Sequence, residues 1–135
     1  MIGVHNDPAE VEMLLAAGRK YSAWKDWDKI PMGSNRMRAG LGSGFNACKF
    51  HPDKPARTIR KMDGNLGMHG CMHWSEKRRF TLAELRRFGS FPDDFKFVGT
   101  YTDAVERMGN SVPPNFMRAI ASHIRDNILA KVGEN

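Results

Sequence analysis

The chain has 135 residues, of which 41% are hydrophobic and 10% aromatic, and its formal net charge is +6. This length predicts one domain or a piece of a larger protein, and the apolar content excludes a disordered chain. Two cysteines are too few for a disulfide framework, and without an apolar run of membrane-spanning length or a signal-peptide core we expect a soluble, cytoplasmic protein with no membrane partner.

The positive charge is concentrated in residues 36–61, which contain 7 basic residues and 1 acidic residue. The rest of the chain is nearly balanced. A local basic stripe is typical of a protein that binds a polyanion, whereas a solvated surface face normally mixes both signs. We therefore expect nucleic acid to be a partner.

A first helix is predicted at Asp7-Pro8-Ala9-Glu10. This stretch combines an N-cap acceptor, a proline at the first helical position and a glutamate at the reciprocal capping position. Val11, Leu14 and Leu15 give the helix an apolar side, and Gly18 is its expected end.

An aromatic stretch and a long loop follow. Tyr21, Trp24 and Trp27 lie three residues apart and predict a short helix, whose rings we expect in the core rather than stacked on bases. Residues 32–44 are predicted to form a loop. Its Gly40–Gly44 run lacks the preceding strand that a phosphate-binding loop requires, so we interpret it as a mobile loop.

Three short strands are predicted in the middle of the chain, at residues 45–50, 56–62 and 70–74. Side chains alternate along each, and turn-forming residues separate them. We expect the strands to be antiparallel and to form a basic surface that reads a DNA groove. From the placement of charge, the candidate DNA contacts are Arg36, Arg38, Lys49, Arg57, Thr58, Arg60 and Lys61.

Helices are predicted again in the last third. Thr81-Leu82-Ala83-Glu84 is a capping box that begins a helix ending at Gly89, and residues 102–108 form a second helix. Gly109-Asn110-Ser111-Val112-Pro113-Pro114 then begins a C-terminal amphipathic helix that ends at Gly133. The predicted fold is α+β, with short antiparallel strands flanked by helices.

Cysteine and histidine residues raise the question of a metal site. Their number exceeds the four ligands that a closed zinc site needs, but zinc knuckles usually space paired ligands by two or more residues. Along a strand the same pattern is equally typical of a packed or DNA-facing row, which we favour, and we predict no metal. The residues concerned are Cys48, His51, His69, Cys71 and His73.

A complete catalytic centre is not evident in the sequence. Neither cysteine has a predicted means of thiolate activation, no pair of carboxylates shares an apolar setting, and no serine and histidine occur in an elbow context. No residue is therefore predicted to be catalytic.

Residues 55–124 resemble the C-terminal part of bacterial or phage DNA (cytosine-5) methyltransferases. Lys54–Ile59 resembles a strand of the target-recognition domain, Arg79–Phe88 with Phe91–Phe95 resembles the ninth motif, and Gly109–Pro114 with its helix resembles the tenth. The resemblance implies a target-recognition region over residues 1–79 and a segment similar to the last two motifs over residues 80–135.

The resemblance also implies an activity. Such an enzyme attacks C6 of a flipped-out cytosine with a cysteine thiolate, and C5 takes the methyl group from S-adenosylmethionine. This portion would bind double-stranded DNA and form one wall of the cofactor pocket, with Asn110, Ser111 and Val112 against the cofactor. It belongs to the chemistry of DNA methylation and of restriction-modification systems.

Four motifs of the family are absent from this sequence: Phe-x-Gly-x-Gly, Pro-Cys, Glu-Asn-Val and Gln-x-Arg-x-Arg. We therefore expect the chain to be inactive alone and to require a catalytic domain or subunit that carries them. The sequence leaves open a domain of a longer chain, a split-enzyme subunit or a truncated remnant, and it does not reveal the DNA target. The alternative function is a free-standing DNA-binding module without an enzymatic partner.

The C-terminal helix carries an apolar row that includes Phe116, Ile120, Ile124 and Ile128. Burying each of these side chains contributes on the order of 2 kcal/mol, so exposure of the row to water is unfavourable. We expect the row to pack on the missing catalytic part or, in the chain alone, to form a homodimer.

Overall fold

The computed structural model describes residues 4–42, 47–66 and 70–132. Within them the fold is α+β, as predicted. None of the helices in these three ranges is long and apolar enough to cross a membrane. The helices are α1 (Pro8–Lys20), α2 (Leu82–Phe88), α3 (Tyr101–Asn110), α4 (Pro114–Ile124) and α5 (Ala130–Val132), the strands are β1 (Cys48–Lys49) and β2 (Cys71–Met72), and 3₁₀ turns occupy Ser22–Trp24, Trp27–Lys29 and Lys61–Gly64.

The two strands are parallel, so the prediction of antiparallel strands was wrong. Cys48 pairs with Cys71 and Lys49 with Met72. Parallel neighbours need a crossover connection, and the described part of this one, residues 50–66, runs along an irregular segment into the 61–64 turn. Antiparallel pairing among the described residues is confined to two isolated bridges, Asn35 with Cys48 and Met72 with Arg79.

The predicted strands were longer than the observed ones. Only Cys48–Lys49 and Cys71–Met72 are paired, and the beginning of the predicted 45–50 strand lies outside the described residues. Residues 56–60 form no strand, and residues 61–64 turn into a 3₁₀ helix instead. Alternation of polar and apolar residues predicts which side a residue faces, but pairing also requires a neighbouring strand, which residues 56–62 lack.

The small sheet separates two apolar clusters. Cys48 and Cys71 face the first cluster, whereas Ala47 and Met72 face the second, as the alternation of side chains along a strand requires. The first cluster also contains Phe50, Phe80, Leu85, Val105 and Met108. The second contains Trp24, Trp27 and Ile30.

The aromatic stretch before residue 31 forms two 3₁₀ turns rather than one helix. Trp24 and Trp27 are buried, as predicted, whereas Tyr21 is exposed. Trp27 Nε1 donates a hydrogen bond to the His73 carbonyl oxygen at 3.2 Å, which connects this stretch to the residue after β2. Tyr21 precedes both turns as the C-cap of α1, and its ring lies outside this core.

Helix α1 begins as predicted and ends two residues later. Asp7 Oδ1 accepts the Ala9 N–H at 2.9 Å, and the helix continues through Gly18 to Lys20. Gly18 has a packing role instead, since a Cβ there would lie 1.9 Å from the Lys77 carbonyl oxygen. Glu10 does not complete the predicted capping box: its Oε1 accepts the Leu82 N–H at 2.7 Å and so holds α1 against the start of α2.

The predicted capping box of α2 is confirmed, and its glutamate does more than cap. Thr81 N donates to Glu84 Oε2 at 2.9 Å, and Glu84 N donates to Thr81 Oγ1 at 3.2 Å. Arg78 donates to both carboxylate oxygens of Glu84, at 2.9 and 3.0 Å, while its Nε donates to Glu76. Arg78 is only 2% exposed. Burial alone would raise the pKa of Glu84, but the hydrogen bonds from Arg78 and Thr81 outweigh it and hold that pKa below its ordinary value.

Helix α4 begins at Pro114 and continues through a π-helical turn at Arg125–Leu129 into α5. Gly133, its predicted end, lies outside the described residues. The apolar row predicted on this helix is exposed to solvent. Exposed fractions range from 39% at Ile120 to 68% at Val132. Near its start the helix is held to the rest of the chain where the Asn115 N–H donates to Ser90 Oγ at 3.0 Å.

His73 lies beside the Arg78–Glu84 pair and is neutral in the folded chain. Its ring stacks on Trp74 with centroids 4.1 Å apart, and its Nδ1 accepts the Ser75 and Glu76 N–H groups. Burial and the nearby Arg78 charge lower its pKa to about 4, although Glu84 opposes the shift.

This burial predicts a pH-dependent stability. Below about pH 6.5 the unfolded chain protonates His73 while the folded chain does not, so stability is lost as the pH falls from about 6.5 towards 4. We expect His73→Asn, whose amide oxygen can replace Nδ1 as an acceptor, to remove on the order of 2 kcal/mol of the loss between pH 7 and pH 5 in urea unfolding. Burial also raises the pKa of Glu10, and this shift makes the folded chain more stable as the pH falls. The contribution of Glu10 is the same in wild type and in His73→Asn, so it does not affect the comparison. His123→Asn, at an exposed position, should leave the profile unchanged. Identical profiles for His73→Asn and wild type would contradict the prediction.

Candidate functional site

A concave, positively charged surface lies beside β1. Its larger part has a volume of about 360 Å³. Among the described residues, its lining includes Arg38, Lys49, Lys54 and Arg57 but no acidic residue. A smaller cavity of about 130 Å³ shares Cys48, Phe50 and Arg57 with it and adds Thr58, Arg60 and Asp63. We call the two together the cationic groove. It brings together five of the seven candidate DNA contacts, from positions up to 22 residues apart in the sequence (38 to 60).

Not all of these cations face solvent. Arg38, Arg57, Thr58 and Lys61 are exposed. Lys49 is only 7% exposed: its Nζ lies 3.6 Å from the centre of the Trp27 ring and donates to the Trp27 carbonyl oxygen at 3.4 Å. Burial also lowers the pKa of Lys49. Lys49 therefore contributes positive potential to the groove wall from inside the protein.

Arg36 and Arg60 are held by acidic partners. Arg36 donates to Asp26 at 2.5 Å and to the Leu41 carbonyl oxygen at 2.6 Å, and it does not line the groove. Arg60 donates to Asp63 at 2.5 Å. Lys54 lines the groove although it was not among the candidate contacts. Lys54 belongs to the basic 36–61 stretch, and this was the only sequence signal for a DNA contact at that residue. It was not selected as a candidate because it lies in a predicted turn between two strands.

Backbone hydrogen bonds hold the groove wall in place. The Gly33 N–H donates to the Lys49 carbonyl oxygen at 2.8 Å, and the Lys49 N–H donates to the Ser34 carbonyl oxygen at 3.0 Å. Gly33 has a φ of +76°, a conformation that favours glycine. A hydrogen bond with the Cys48 side chain raises the pKa of Arg57. The wall is thus fixed, while the guanidinium groups at its rim face solvent.

The three candidate cofactor residues form an exposed link between α3 and α4. Asn110 is the last residue of α3, and Ser111 caps it by donating from N and Oγ to the Met108 carbonyl oxygen, at 3.1 and 2.7 Å. Val112 is 48% exposed. The helix predicted at residues 102–108 continues through Gly109, so the helix break falls after Asn110, and α4 begins at the predicted pair of prolines.

A close contact joins this link to the cationic groove. A Cβ on Gly109 would lie 2.2 Å from Lys61 N, and a Cβ on Gly64 would lie 2.9 Å from Thr102 Cα. Helix α3 and the 61–64 turn therefore touch backbone to backbone, with one glycine on each side. Thr102 Oγ1 donates to the Gly64 carbonyl oxygen at 3.2 Å across the contact. The candidate DNA-binding and cofactor-binding segments are adjacent for this reason.

Two basic residues of the 75–79 stretch, Arg78 and Arg79, are buried. Arg79 is 2% exposed and donates to the carbonyl oxygens of Asp63 and, at 2.6 Å, of Asn65. Together with Arg78 it stabilises the inside of the protein. Counting charges along the sequence does not distinguish such residues from surface cations.

The cysteine and histidine residues do not form a metal site among the described residues, where no group of three suitable ligands lies together. His69, one of the five candidates, lies outside those residues. Burial raises the pKa of Cys71, so its thiol is protonated at neutral pH.

Comparison with known proteins places these features in a family. The profile of C-5 cytosine-specific DNA methylases matches residues 9–126. The type II methyltransferase M.BbvI of Brevibacillus brevis is 38% identical over 110 residues, which are 82% of this chain and 28% of that protein. M.NgoFVII of Neisseria gonorrhoeae is 41% identical over 76 residues, 56% of this chain and 20% of that protein.

A third relative, M.NgoPII of Neisseria gonorrhoeae, is 32% identical over 106 residues, which are 73% of this chain and 30% of that protein. The chain thus spans between 20% and 30% of the length of these three curated relatives. No solved structure matches it.

The glycine contact predicts an unusual substitution effect. Gly→Ala inside a helix normally stabilises by about 1 kcal/mol. We expect Gly109→Ala instead to destabilise by about 1–3 kcal/mol, because the new methyl group would overlap the backbone of residues 60 and 61. Urea unfolding would measure the change. Glu106→Ala, at an exposed position of the same helix, is the matched control and should change stability by less than about 0.5 kcal/mol. A stabilised Gly109→Ala would contradict the contact.

Proposed function

Because the chain belongs to the C-5 cytosine-specific DNA methylase family, we propose that it is the DNA-recognition and cofactor-wall portion of an S-adenosylmethionine-dependent DNA cytosine-5 methyltransferase. The cationic groove is the observation that supports this proposal most strongly. Within the part of the chain that the structure describes, its larger part is lined by four cations and no acidic residue, which suits a phosphate backbone. Double-stranded DNA is the proposed ligand.

The groove suggests how the chain would contact DNA. Arg38, Arg57 and Lys54 would pair with phosphates at the rim, and Thr58 could donate to a phosphate or a base edge from the exposed segment after Pro55. Arg60 and Lys61 follow next to the glycine contact. We assign Lys49 and Arg36 a supporting role, because Trp27 and Asp26 occupy their charged groups.

We further propose that the chain has the two functional regions that the family motifs imply. Residues 1–79 would form the target-recognition region and residues 80–135 the segment similar to the ninth and tenth motifs. The first apolar cluster contains residues from both parts, such as Phe50 and Phe80, whose ring centroids lie 4.9 Å apart. The two parts would therefore act as one packed unit on DNA.

The proposed cofactor contacts are Asn110, Ser111 and Val112. They fit a pocket wall because the link is exposed and the cap fixes its backbone, while the Asn110 side chain can donate or accept hydrogen bonds. The cofactor would supply the methyl group that C5 of the cytosine receives. This chain's residues would orient the cofactor and the DNA, and the attacking cysteine would come from the part that carries the Pro-Cys motif.

The exposed apolar row on α4 and α5 would bind a partner surface. Because Phe116, Ile124 and Ile128 are 40% to 61% exposed, water covers a surface whose burial would be favourable. The proposed partner is the catalytic part with the missing motifs. In the chain alone, the same row would form a homodimer.

Arg57 is the groove cation whose removal best tests DNA binding. We expect Arg57→Ala to weaken binding to duplex DNA about 5- to 20-fold near 0.1 M salt and to lower the salt slope by about 1, because one phosphate contact is lost. Fluorescence anisotropy at several salt concentrations would measure both. Arg118→Ala removes the same charge from an exposed position on α4 and should leave affinity nearly unchanged. Equal losses in the two variants would indicate attraction by net charge alone.

Methyl-transfer activity is a second test of the proposed function. Mixed with a polypeptide that carries the missing motifs, the chain should give methyl transfer to C5 of cytosine, whereas neither component alone should. Light scattering should show a homodimer of the chain that converts to a mixed complex. A partner whose Pro-Cys cysteine is replaced by serine controls for contaminating activity. Tight DNA binding without transfer or complex formation would favour the free-standing module, and a strictly monomeric chain would contradict the homodimer.

A further inference from the structure

The only two cysteines of the chain lie opposite each other on the two strands. Cys48 and Cys71 are in register on β1 and β2, and both are free thiols. Neighbouring strands lie about 4.8 Å apart, within the range of about 4.4–6.8 Å that disulfides span between Cα atoms. In-register neighbours also point to the same face, and both side chains belong to the first apolar cluster. The two sulfur atoms can therefore form a bond without a large movement of the backbone.

The surroundings of the pair give each thiol a different character. Both cysteines line the smaller cavity of about 130 Å³, so a small reagent can reach them although they are only 5% and 7% exposed. Arg57 lines the same cavity beside Cys48, and a hydrogen bond with the Cys48 side chain raises the pKa of Arg57. The Cys71 thiol donates to Asp63 Oδ2 at 3.5 Å, and burial raises its pKa. Cys48 is therefore the thiol that reacts first.

We propose that Cys48 and Cys71 form a redox-modification site, in which a small-molecule disulfide converts the two thiols into an internal disulfide. The bond would close the chain between residues 48 and 71, a stretch that carries Arg57, Thr58, Arg60 and Lys61. It would join β1 to β2 covalently beneath the cationic groove. The proposal rests on the register of the strands and does not depend on the proposed function.

The reaction proceeds by two exchanges. The Cys48 thiolate attacks one sulfur of the small disulfide, the S–S bond of that reagent breaks, and the first thiolate leaves and takes up a proton. Cys71 then loses its proton to solvent by way of Asp63 and attacks the Cys48 sulfur, which releases the second small thiol. The two protein thiols are oxidised by two electrons, and the reagent is reduced to two thiols.

The test treats the folded chain with bis(2-hydroxyethyl) disulfide, which is small and uncharged. Intact mass should fall by two hydrogens without a retained adduct, peptide mapping should link Cys48 to Cys71, and dithiothreitol should reverse the change. Closing this loop should raise the unfolding midpoint by roughly 5 °C or more. Circular dichroism before and after treatment would verify that the chain stays folded.

Two serine variants make the result decisive. Cys71→Ser should retain one mercaptoethanol adduct on Cys48 and show no rise in midpoint, because the second exchange cannot occur. Cys48→Ser should react much more slowly, since Cys71 is the less reactive thiol. Stable adducts on both cysteines of the wild type, a disulfide between two chains, or two unreacted thiols where Cys71→Ser does react would each overturn the proposal.

Discussion

The contact between α3 and the 61–64 turn determines how the two halves of the chain meet. Gly64 and Gly109 lie on opposite sides of it, and a methyl group at either position would overlap the backbone of the other element. Val105 and Met108 of α3 then reach the first apolar cluster, together with Phe80 and the residues of β1 and β2. Because backbones approach this closely only where side chains are missing, the fold depends on two residues that contribute no packing atoms of their own.

Two of the arginines that contribute to the positive net charge lie inside the protein. Arg78 and Arg79 are buried. Arg78 donates chiefly to Glu84, and the terminal nitrogens of Arg79 donate to the carbonyl groups of residues 63 and 65. Glu84 also caps α2, so one carboxylate fixes a helix start and neutralises a buried cation. Removing one member of such a pair leaves an unpaired buried charge, which makes the network sensitive to substitution.

Two surfaces of the chain differ in character. The cationic groove is concave and positive, whereas the row on α4 and α5 is helical and apolar, and it is held to the remainder near its start through Ser90. A polyanion suits the first and an apolar protein surface the second. The link at residues 110–112 lies between them and is fixed at one end by the glycine contact. The surfaces proposed to bind DNA, the cofactor and a catalytic part would thus lie next to one another.

Features that depend on local chemistry were predictable from the amino-acid sequence. The N-cap of α1, the capping box of α2, the burial of Trp24 and Trp27 and the amphipathic C-terminal helix follow from residues within one or two turns of each other, and the methyltransferase motifs are read directly from residue order. Tertiary structure decided the rest. The direction of the strands, the buried state of Arg78, Arg79 and Lys49, and the contact that places Gly109 against Lys61 depend on segments distant in sequence. Local patterns carry no record of which distant backbone segments approach each other. The sequence therefore predicted five residues that line the groove, but neither Lys54 nor the burial of Lys49 in its wall.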